Sequence, residues 1–199
     1  MIDAKPVRHP GGEYVQNQFM RGLEHLFRKN DHVLVVNNDC ELRPDTYRHL
    51  LADGGEFVTA VGTRDPEKIK PPYVVPDSAL KRNHPDFGAY LIRRSVWEKV
   101  GPFDEKFLIG YGEDCCMHLR MHRAGIAAYA LELPYLHYGA QTLKNAEPEE
   151  QQLIQKQADR NREYFREKYG FSLGSPEYYR EFNGEAPVEE TEPKEVAPI

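Results

Sequence analysis

The sequence predicts an α/β domain in which a mixed sheet is flanked by helices. Short aliphatic runs of strand length alternate along the chain with segments whose apolar residues recur every three or four positions. A long, strongly charged helix is predicted at 148–169, and we expect it to lie on the surface. We therefore assign 1–183 to a single domain with a C-terminal helical segment at 148–183, and 184–199 to a disordered acidic tail.

The composition limits the class of protein. Apolar residues make up 40% of the chain and charged residues 29%, which is typical of a soluble globular protein. No stretch approaches the roughly 18 apolar residues that a membrane span needs, and we expect no signal peptide. The net charge of −6 argues against nucleic-acid binding, which needs a basic surface. Cys40, Cys115 and Cys116 are odd in number and lack CxxC spacing, so we expect free thiols in a reducing, cytoplasmic setting.

The predicted elements follow one another in a regular order. Strands are expected at 5–8, 33–36, 57–62, 90–92 and 126–131, and helices at 13–28, 44–51, 96–100, 114–124 and 148–169. We expect Ser95 to cap the third helix and Gly125 to end the fourth. The aliphatic run 33–36 is typical of a central strand covered on both faces. The loop 64–85 contains five prolines and is long enough to suggest a functional or mobile segment.

The triplet Asn37-Asn38-Asp39 directly follows this aliphatic run. Ligands of open α/β sheets bind at the carboxyl ends of strands. Asp39 suits a divalent hard cation there, and Asn37 can ligate through its carbonyl oxygen or through water. An Asx-turn, in which the same side chains satisfy local backbone groups, explains the triplet as well. Both interpretations stay open.

The stretch Gly110-Tyr111-Gly112-Glu113-Asp114 places two carboxylates at a predicted helix start. As a plain N-cap, Asp114 would only stabilise the helix. As a general base, it would be kept ionised by the helix N-terminus and would accept a proton from a hydroxyl within hydrogen-bond reach. The two glycines would then let a substrate approach the backbone.

Two further positions carry weaker signals. His137 follows another apolar segment and is either a structural histidine or a ligand for a metal such as Mn²⁺, alongside carboxylates. Gly88 and Ala89 open a predicted strand, where small residues admit a ligand to the backbone, unless Gly88 simply marks a bulge.

Several common catalytic motifs are absent. His118 and His122 have the spacing of a zinc-protease helix, but the acid of the HExxH pattern is missing. The chain has no GxGxxG, P-loop or GxSxG motif, so dehydrogenase, kinase and hydrolase functions have no support.

The order of these motifs is more specific than any one of them. From 9 to about 142 the chain resembles the GT-A glycosyltransferases of family 2, especially the rhamnosyltransferase-like branch. The most specific stretch is 87–140, which contains "GYGEDCCMHLRMHRAG". The resemblance implies a Rossmann-like GT-A sheet that lacks the family's first strand–helix–strand unit. A truncated domain of this kind would hold the donor base through fewer contacts or through a partner chain.

The resemblance also implies roles for individual residues. A DxD-type motif of this family binds the metal that carries the nucleotide diphosphate, which implies a metal role for Asp39 and a weaker one for Asn37. The family's ED motif implies Asp114 as the base, with Glu113 beside it, and a later histidine of the metal site is matched by His137. Donor contacts are implied for Gly11, Gly12, Asn17, Asn38, Asp39, Gly88 and Ala89, and acceptor contacts for Tyr111 and Gly112.

The activity implied is that of a metal-dependent, inverting hexosyltransferase. It would move a sugar from a nucleotide-diphosphate sugar, UDP-sugar foremost, to a hydroxyl of a saccharide or other acceptor, with Mn²⁺ or Mg²⁺ as cofactor. The loop 64–85 and the region 144–147 would close over the donor. An inactive sugar- or protein-binding module and a nucleotidyltransferase remain as alternatives. The sugar, the acceptor and a possible homodimer stay open.

Overall fold

A six-stranded mixed sheet with helices on both faces forms the centre of the molecule, which confirms the predicted α/β class. The computed structural model describes residues 15–73, 81–108, 111–139 and 147–182. The strand predicted at 5–8, the acidic tail, and Gly11 and Gly12 lie outside the described residues.

The helices and strands occur in the following order. They are α1 (Val15–Phe27), β1 (His32–Val36), β2 (Cys40–Glu41), α2 (Thr46–Asp53), β3 (Phe57–Thr63), a short 3-10 helix (Pro66–Ile69), β4 (Lys81–Arg82), β5 (Ala89–Arg93), α3 (Arg94–Val100), α4 (Glu113–Arg123), β6 (Ala128–His137), α5 (Pro148–Tyr169) and α6 (Pro176–Glu181). The strand order is β1-β5-β3-β6-β2, with β4 also paired to β6. β3 and β6 are parallel, and the remaining pairs are antiparallel. None of the described helices combines the length and apolar character that crossing a membrane requires.

Side chains alternate between the two faces of the sheet, because successive strand residues point in opposite directions. On one face, α1, α3 and α4 pack over a cluster that includes Phe57. On the other face, Leu50 of α2 shares a cluster with Val58 and Leu91. A third cluster around Phe165 joins α4 to α5 and α6. The sheet is therefore covered on both sides, and the C-terminal helices extend the core beyond it.

The sequence predicted a central position for β1, but in the structure this strand lies at an edge of the sheet. Among the described residues, β5 is its one strand partner. Val33 is buried, whereas Val36 is 38% exposed. The aliphatic run still has a packing role, since Val35 and Leu34 contact the clusters on opposite faces.

β6 continues well beyond the predicted end at 131. The sequence predicted a strand that ends at 131 and a separate apolar segment before His137. In the structure both belong to the single strand β6. Pro134 pairs with Val61, and the β3–β6 register shifts between Thr59 and Val61. An irregularity of this kind tolerates a residue that cannot donate a backbone hydrogen bond.

Three smaller predictions need correction. α3 begins at Arg94, and the hydroxyl of Ser95 donates to the side chain of Glu56, so Ser95 is not the cap. The loop 64–85 includes the 3-10 helix and β4, so it is less irregular than predicted. α5 has the predicted bounds and exposes one face, but its other face is buried in the third cluster.

Candidate functional site

The turn after β1 is held by backbone hydrogen bonds to both neighbouring parts of the sheet. The N–H of Asn37 donates to the carbonyl of Gly88 over 2.9 Å, and the N–H of Tyr138 donates to the carbonyl of Asp39 over 2.9 Å. The N–H of Cys40 closes the turn on the carbonyl of Asn37 at 3.2 Å. The polar triplet is thereby fixed between the start of β5 and the end of β6.

The side chains of Asp39, Cys40 and His137 meet at this turn, and we call them the strand-end cluster. One ligand atom from each residue lies within 4.8 Å of the others. His137 Nε2 is 3.3 Å from Asp39 Oδ2, and Cys40 Sγ donates to Asp39 Oδ1 at 3.8 Å. The structure thus brings together two of the three residues predicted as metal ligands, Asp39 and His137, whereas Asn37 is not part of the cluster.

Cys40 is the member of the cluster that sequence reasoning missed. It lies directly opposite His137 in the β2–β6 ladder, so both side chains are on the same face of the sheet. Burial and the negative charges of Asp39 and Asp86 raise the pKa of its thiol to about 12. The available signal was its place in the chain immediately after Asp39, but the pairing of β2 with β6 was not predictable from the sequence.

The other predicted metal and donor residues around this turn are less enclosed. Asn37 and Asn38 are exposed. Asn17 lies in α1, but its side chain is outside the part of the chain that the structure describes. The donor roles predicted for these residues therefore remain predictions.

A cavity of about 320 Å³ lies beside His137. Arg64 and Tyr138 are among the residues that line it. Arg64 follows β3 directly and His137 ends β6, and these parallel strands finish at the same edge because Thr63 pairs with Leu136. Arg64 therefore lies next to the strand-end cluster. Sequence reasoning did not identify this residue either. The guanidinium group is well suited to a phosphate ligand.

Asp86 holds the segment before β5 in place. Its carboxylate accepts hydrogen bonds from the Tyr135 hydroxyl at 2.6 Å and from the N–H groups of Gly62 and Gly88, each at 2.9 Å. A Cβ atom added to Gly88 would lie 2.0 Å from the Tyr135 hydroxyl oxygen. Gly88 is thus required by the packing of Tyr135, and Ala89 is fully buried. This geometry adds no support for donor contacts at these two positions.

The second candidate region is the start of α4, where Glu113 and Asp114 form what we call the helix-start pair. Tyr111 and Gly112 both have left-handed backbone conformations, with φ of 72° and 101°. Positive φ is uncommon for a bulky residue such as tyrosine. The buried side chain of Asn161 donates to the carbonyl of Tyr111 over 3.2 Å and so ties this turn to α5.

The helix begins at Glu113 with Gly112 as its N-cap residue, so the N-cap interpretation of Asp114 is wrong. Asp114 Oδ1 instead accepts a hydrogen bond from the N–H of Cys115 at 2.7 Å. Burial, together with the charge of Asp114, raises the pKa of Glu113 to about 7. Glu113 Oε2 is buried and has no hydrogen-bond partner among the described residues.

The two carboxylates of the helix-start pair differ in access. A cavity of about 240 Å³ is lined by Asp114, and its other walls include aromatic and histidine side chains from the segment before β5 and from α6. Glu113 is not among the residues that line this cavity. Asp114 is therefore the carboxylate that a ligand in the cavity would meet, and Glu113 lies behind it.

One segment of the chain joins the two regions. His84 and Phe87 line the cavity over Asp114, whereas Asp86 and Gly88 bond to Tyr135 and to the turn at Asn37. The short segment 84–88 therefore contacts both regions through alternating residues, with His84 and Phe87 at the cavity over Asp114 and Asp86 and Gly88 bonded beside the strand-end cluster.

Comparisons of the chain with protein families, with curated proteins and with solved structures give no match. The assignment of a function consequently depends on the residues of the two regions themselves.

Proposed function

We propose that the chain is a metal-dependent, inverting glycosyltransferase of the GT-A, family 2 type. It would transfer a hexosyl group from a nucleotide-diphosphate sugar, with UDP-sugar as the first candidate, to a hydroxyl of a saccharide or other acceptor. The observation that carries the proposal is the convergence of Asp39 and His137 within 3.3 Å at an edge of the sheet, with the cavity over Asp114 joined to it by residues 84–88.

The strand-end cluster fits a divalent cation. Carboxylate oxygen and imidazole nitrogen suit a transition metal such as Mn²⁺. Asp39 and His137 would hold the ion, and when bound it would supply Lewis-acid stabilisation of the charge that develops on the leaving diphosphate. The sequence analysis predicted Mn²⁺ or Mg²⁺ in this role.

Arg64 is placed to bind the donor phosphates. It lines the cavity next to His137 and presents a permanent positive charge to that space. Charge-assisted hydrogen bonds from arginine to phosphate oxygens are among the strongest that proteins make. Arg64 would thus orient the diphosphate against the strand-end cluster.

We assign the role of general base to Asp114. Its carboxylate lines the second cavity, where an acceptor hydroxyl would lie within reach, and Phe87, Tyr178 and Tyr179 offer apolar walls for a sugar ring. Glu113 is enclosed next to it, with a pKa near 7, and keeps a second acidic group at the same place. Removal of the acceptor proton by Asp114 would allow the hydroxyl oxygen to attack the anomeric carbon.

A calorimetric titration tests the proposal most directly. UDP, GDP and dTDP are titrated into the protein with and without Mn²⁺ or Mg²⁺, and the corresponding sugar nucleotides are then assayed for transfer and hydrolysis. We expect one nucleotide to bind in a cation-dependent manner and its sugar form to be turned over. Absence of any cation-dependent nucleotide binding would contradict the proposal.

A catalytically inactive module that binds a sugar or protein is the second candidate. Asn37 in place of an acid, and the position of β1 at the sheet edge among the described residues, favour it. This candidate predicts binding without transfer or hydrolysis in the same experiment. Turnover of the sugar nucleotide would exclude it.

A further inference from the structure

The strand-end cluster contains a sulfur donor that the proposed glycosyltransferase chemistry does not use. The geometry points to a three-ligand site in which Cys40 Sγ, as a thiolate, binds a zinc-class cation together with Asp39 and His137. The role of the ion in catalysis rests on the proposed function. The site itself is inferred from the geometry of the three side chains alone.

Two distances within the cluster, which run to the two oxygens of the Asp39 carboxylate, are close to those of a metal site. Ligand atoms at the usual 2.0–2.3 Å from a tetrahedral zinc ion are roughly 3.3–3.7 Å apart. His137 Nε2 and Asp39 Oδ2 are 3.3 Å apart, and Cys40 Sγ is 3.8 Å from Asp39 Oδ1. All three donor atoms lie within 4.8 Å of one another.

The backbone already holds the three ligands on one side of the sheet. Cys40 and His137 are directly opposite each other in an antiparallel ladder, where facing side chains share a face. The carbonyl of Asp39 accepts the N–H of Tyr138 at 2.9 Å, which fixes the third ligand against the end of the same ladder. The ligand set is thus preorganised across two strands.

The donor set identifies the class of cation. Mg²⁺ prefers oxygen ligands, whereas a thiolate and an imidazole select zinc-like ions. Three protein ligands leave the fourth tetrahedral position open, as in catalytic zinc sites. That position faces a partly exposed surface, because the side chain of His137 is 35% exposed, and the cavity that contains Arg64 adjoins it. A phosphate oxygen or a water molecule can fill it.

The binding step is balanced by the loss of one proton. The S–H bond of Cys40 breaks, the sulfur–metal bond forms, and the proton passes to solvent, as in other cysteine metal sites. The cation enters and remains divalent, so no oxidant or reductant is involved.

Cobalt spectroscopy on the full chain tests the site without reference to activity. The metal-free, reduced protein is titrated with Co²⁺, which reports a bound thiolate through a sulfur-to-cobalt charge-transfer band in the near ultraviolet. We expect this band to saturate at one equivalent and to disappear on addition of Zn²⁺. Tighter binding of Zn²⁺ than of Mn²⁺ is not sufficient evidence by itself, because most nitrogen, oxygen and sulfur sites share that order.

Matched cysteine variants assign the sulfur. Cys40→Ser should abolish the band and weaken Zn²⁺ binding by at least about 10-fold to 100-fold. Loss of a residue that only hydrogen-bonds to a metal ligand already has an effect of this size. Cys115→Ser, at a cysteine outside the strand-end cluster, should retain the band. A wild-type spectrum without the band, or a Cys40→Ser spectrum that keeps it, would overturn the inference.

Alkylation of the wild-type protein provides a test that needs no variant. Iodoacetamide is applied with and without Zn²⁺, and the modified cysteine is located by mass spectrometry of peptides. We expect Zn²⁺ to protect Cys40 and to leave the modification of Cys115 unchanged. Modification of Cys40 to the same, detectable extent under both conditions would refute the site. A protein that shows the cobalt band but turns over no sugar nucleotide would lose the proposed function and keep the three-ligand site. Cation-dependent turnover without the band would keep the proposed function and remove Cys40 as a ligand.

Discussion

The strand-end cluster and the helix-start pair each contain an aspartate, but its neighbours differ in kind. Asp39 is accompanied by His137 and Cys40, and its side chain remains 17% exposed. Glu113 is accompanied by another carboxylate, and one of its oxygens is buried without a partner among the described residues. The first arrangement is the one for which we propose a cation. The second places a buried carboxylate with a raised pKa behind Asp114, and perturbed pKa values of this kind are common at functional sites.

The largest expected effect would separate the two regions by activity. Under the proposed function, Asp114→Asn removes the base and should lower the transfer rate by about 10²–10⁴-fold, the usual contribution of general-base catalysis. Cation-dependent nucleotide binding should be unchanged, because Asp114 belongs to the other cavity. Asp39→Asn is the matched carboxylate-to-amide change and should instead weaken that binding. Turnover assays and calorimetry on both variants measure the contrast, and a similar loss of nucleotide binding in both would contradict the division of roles.

The next effect concerns acid stability near the helix-start pair. His118 is buried in α4, stacked on Phe182 with His84 and His122 nearby, and burial lowers its pKa to about 3. The unfolded chain takes up a proton near pH 6.5 and the folded chain does not, so the stabilisation is present above pH 6.5 and is lost as the pH falls towards 3. The free energy at stake is at most about 5 kcal/mol.

His118→Phe keeps an aromatic ring against Phe182 and removes the titration. Urea unfolding at pH 7.5 and pH 4.5 should show a clearly smaller loss of unfolding free energy for the variant than for the wild type. A variant with the same loss as the wild type would show that His118 does not control acid unfolding.

Glu113 should produce a pH dependence of the opposite sign. Its pKa is raised from 4.5 to about 7 on folding, so the folded protein holds the extra proton between these values. Its relative stabilisation is complete below pH 4.5 and is lost as the pH rises through 7. Glu113→Gln should therefore raise the free energy of unfolding by about 2–3 kcal/mol at pH 8 and leave it nearly unchanged at pH 4.

A matched control exists for this change. Glu149 also lies in the first turn of a helix, α5, but it is exposed. Glu149→Gln should have little effect on unfolding at either pH. If the two variants behave alike, burial is not the source of the Glu113 effect.

The sequence predicted those parts of the fold whose signals are local. The bounds of α5 agree with the structure, and β1 begins one residue before the predicted start, because periodicity and aliphatic runs identify such elements directly. The position of β1 at the edge was not predictable from its composition. Leu34 and Val35 are apolar because they pack against the clusters on the two faces of the sheet, and this holds for an edge strand as well as for a central one. The predicted strand ended at 131, whereas β6 continues through Pro134, which the irregular pairing with β3 tolerates and which no local signal shows.

The candidate site shows the same limit. Asp39 and His137 were predicted from the order of motifs, but Cys40 and Arg64 required knowledge of which strands pair. Cys40 enters the cluster through the β2–β6 ladder, and Arg64 enters the adjoining cavity through the parallel β3–β6 pair. Neither relation leaves a trace in spacing along the chain.

The smallest effects test whether burial decides the strength of a bond near the strand-end cluster. Tyr135 and Tyr138 both donate a hydroxyl hydrogen to a carboxylate, at 2.6 Å to Asp86 and 2.8 Å to Glu41. Tyr135 is fully buried, whereas Tyr138 is 50% exposed.

Tyr135→Phe should lower the free energy of unfolding by about 2 kcal/mol, because hydrogen bonds to charged groups are stronger and the Asp86 carboxylate loses one of its three donors. Tyr138→Phe should cause no measurable change, because water replaces the lost bond. Thermal and urea unfolding of the two variants make the comparison. If both variants lost the same free energy of unfolding, the buried Tyr135–Asp86 bond would stabilise the protein no more than the exposed Tyr138–Glu41 bond does.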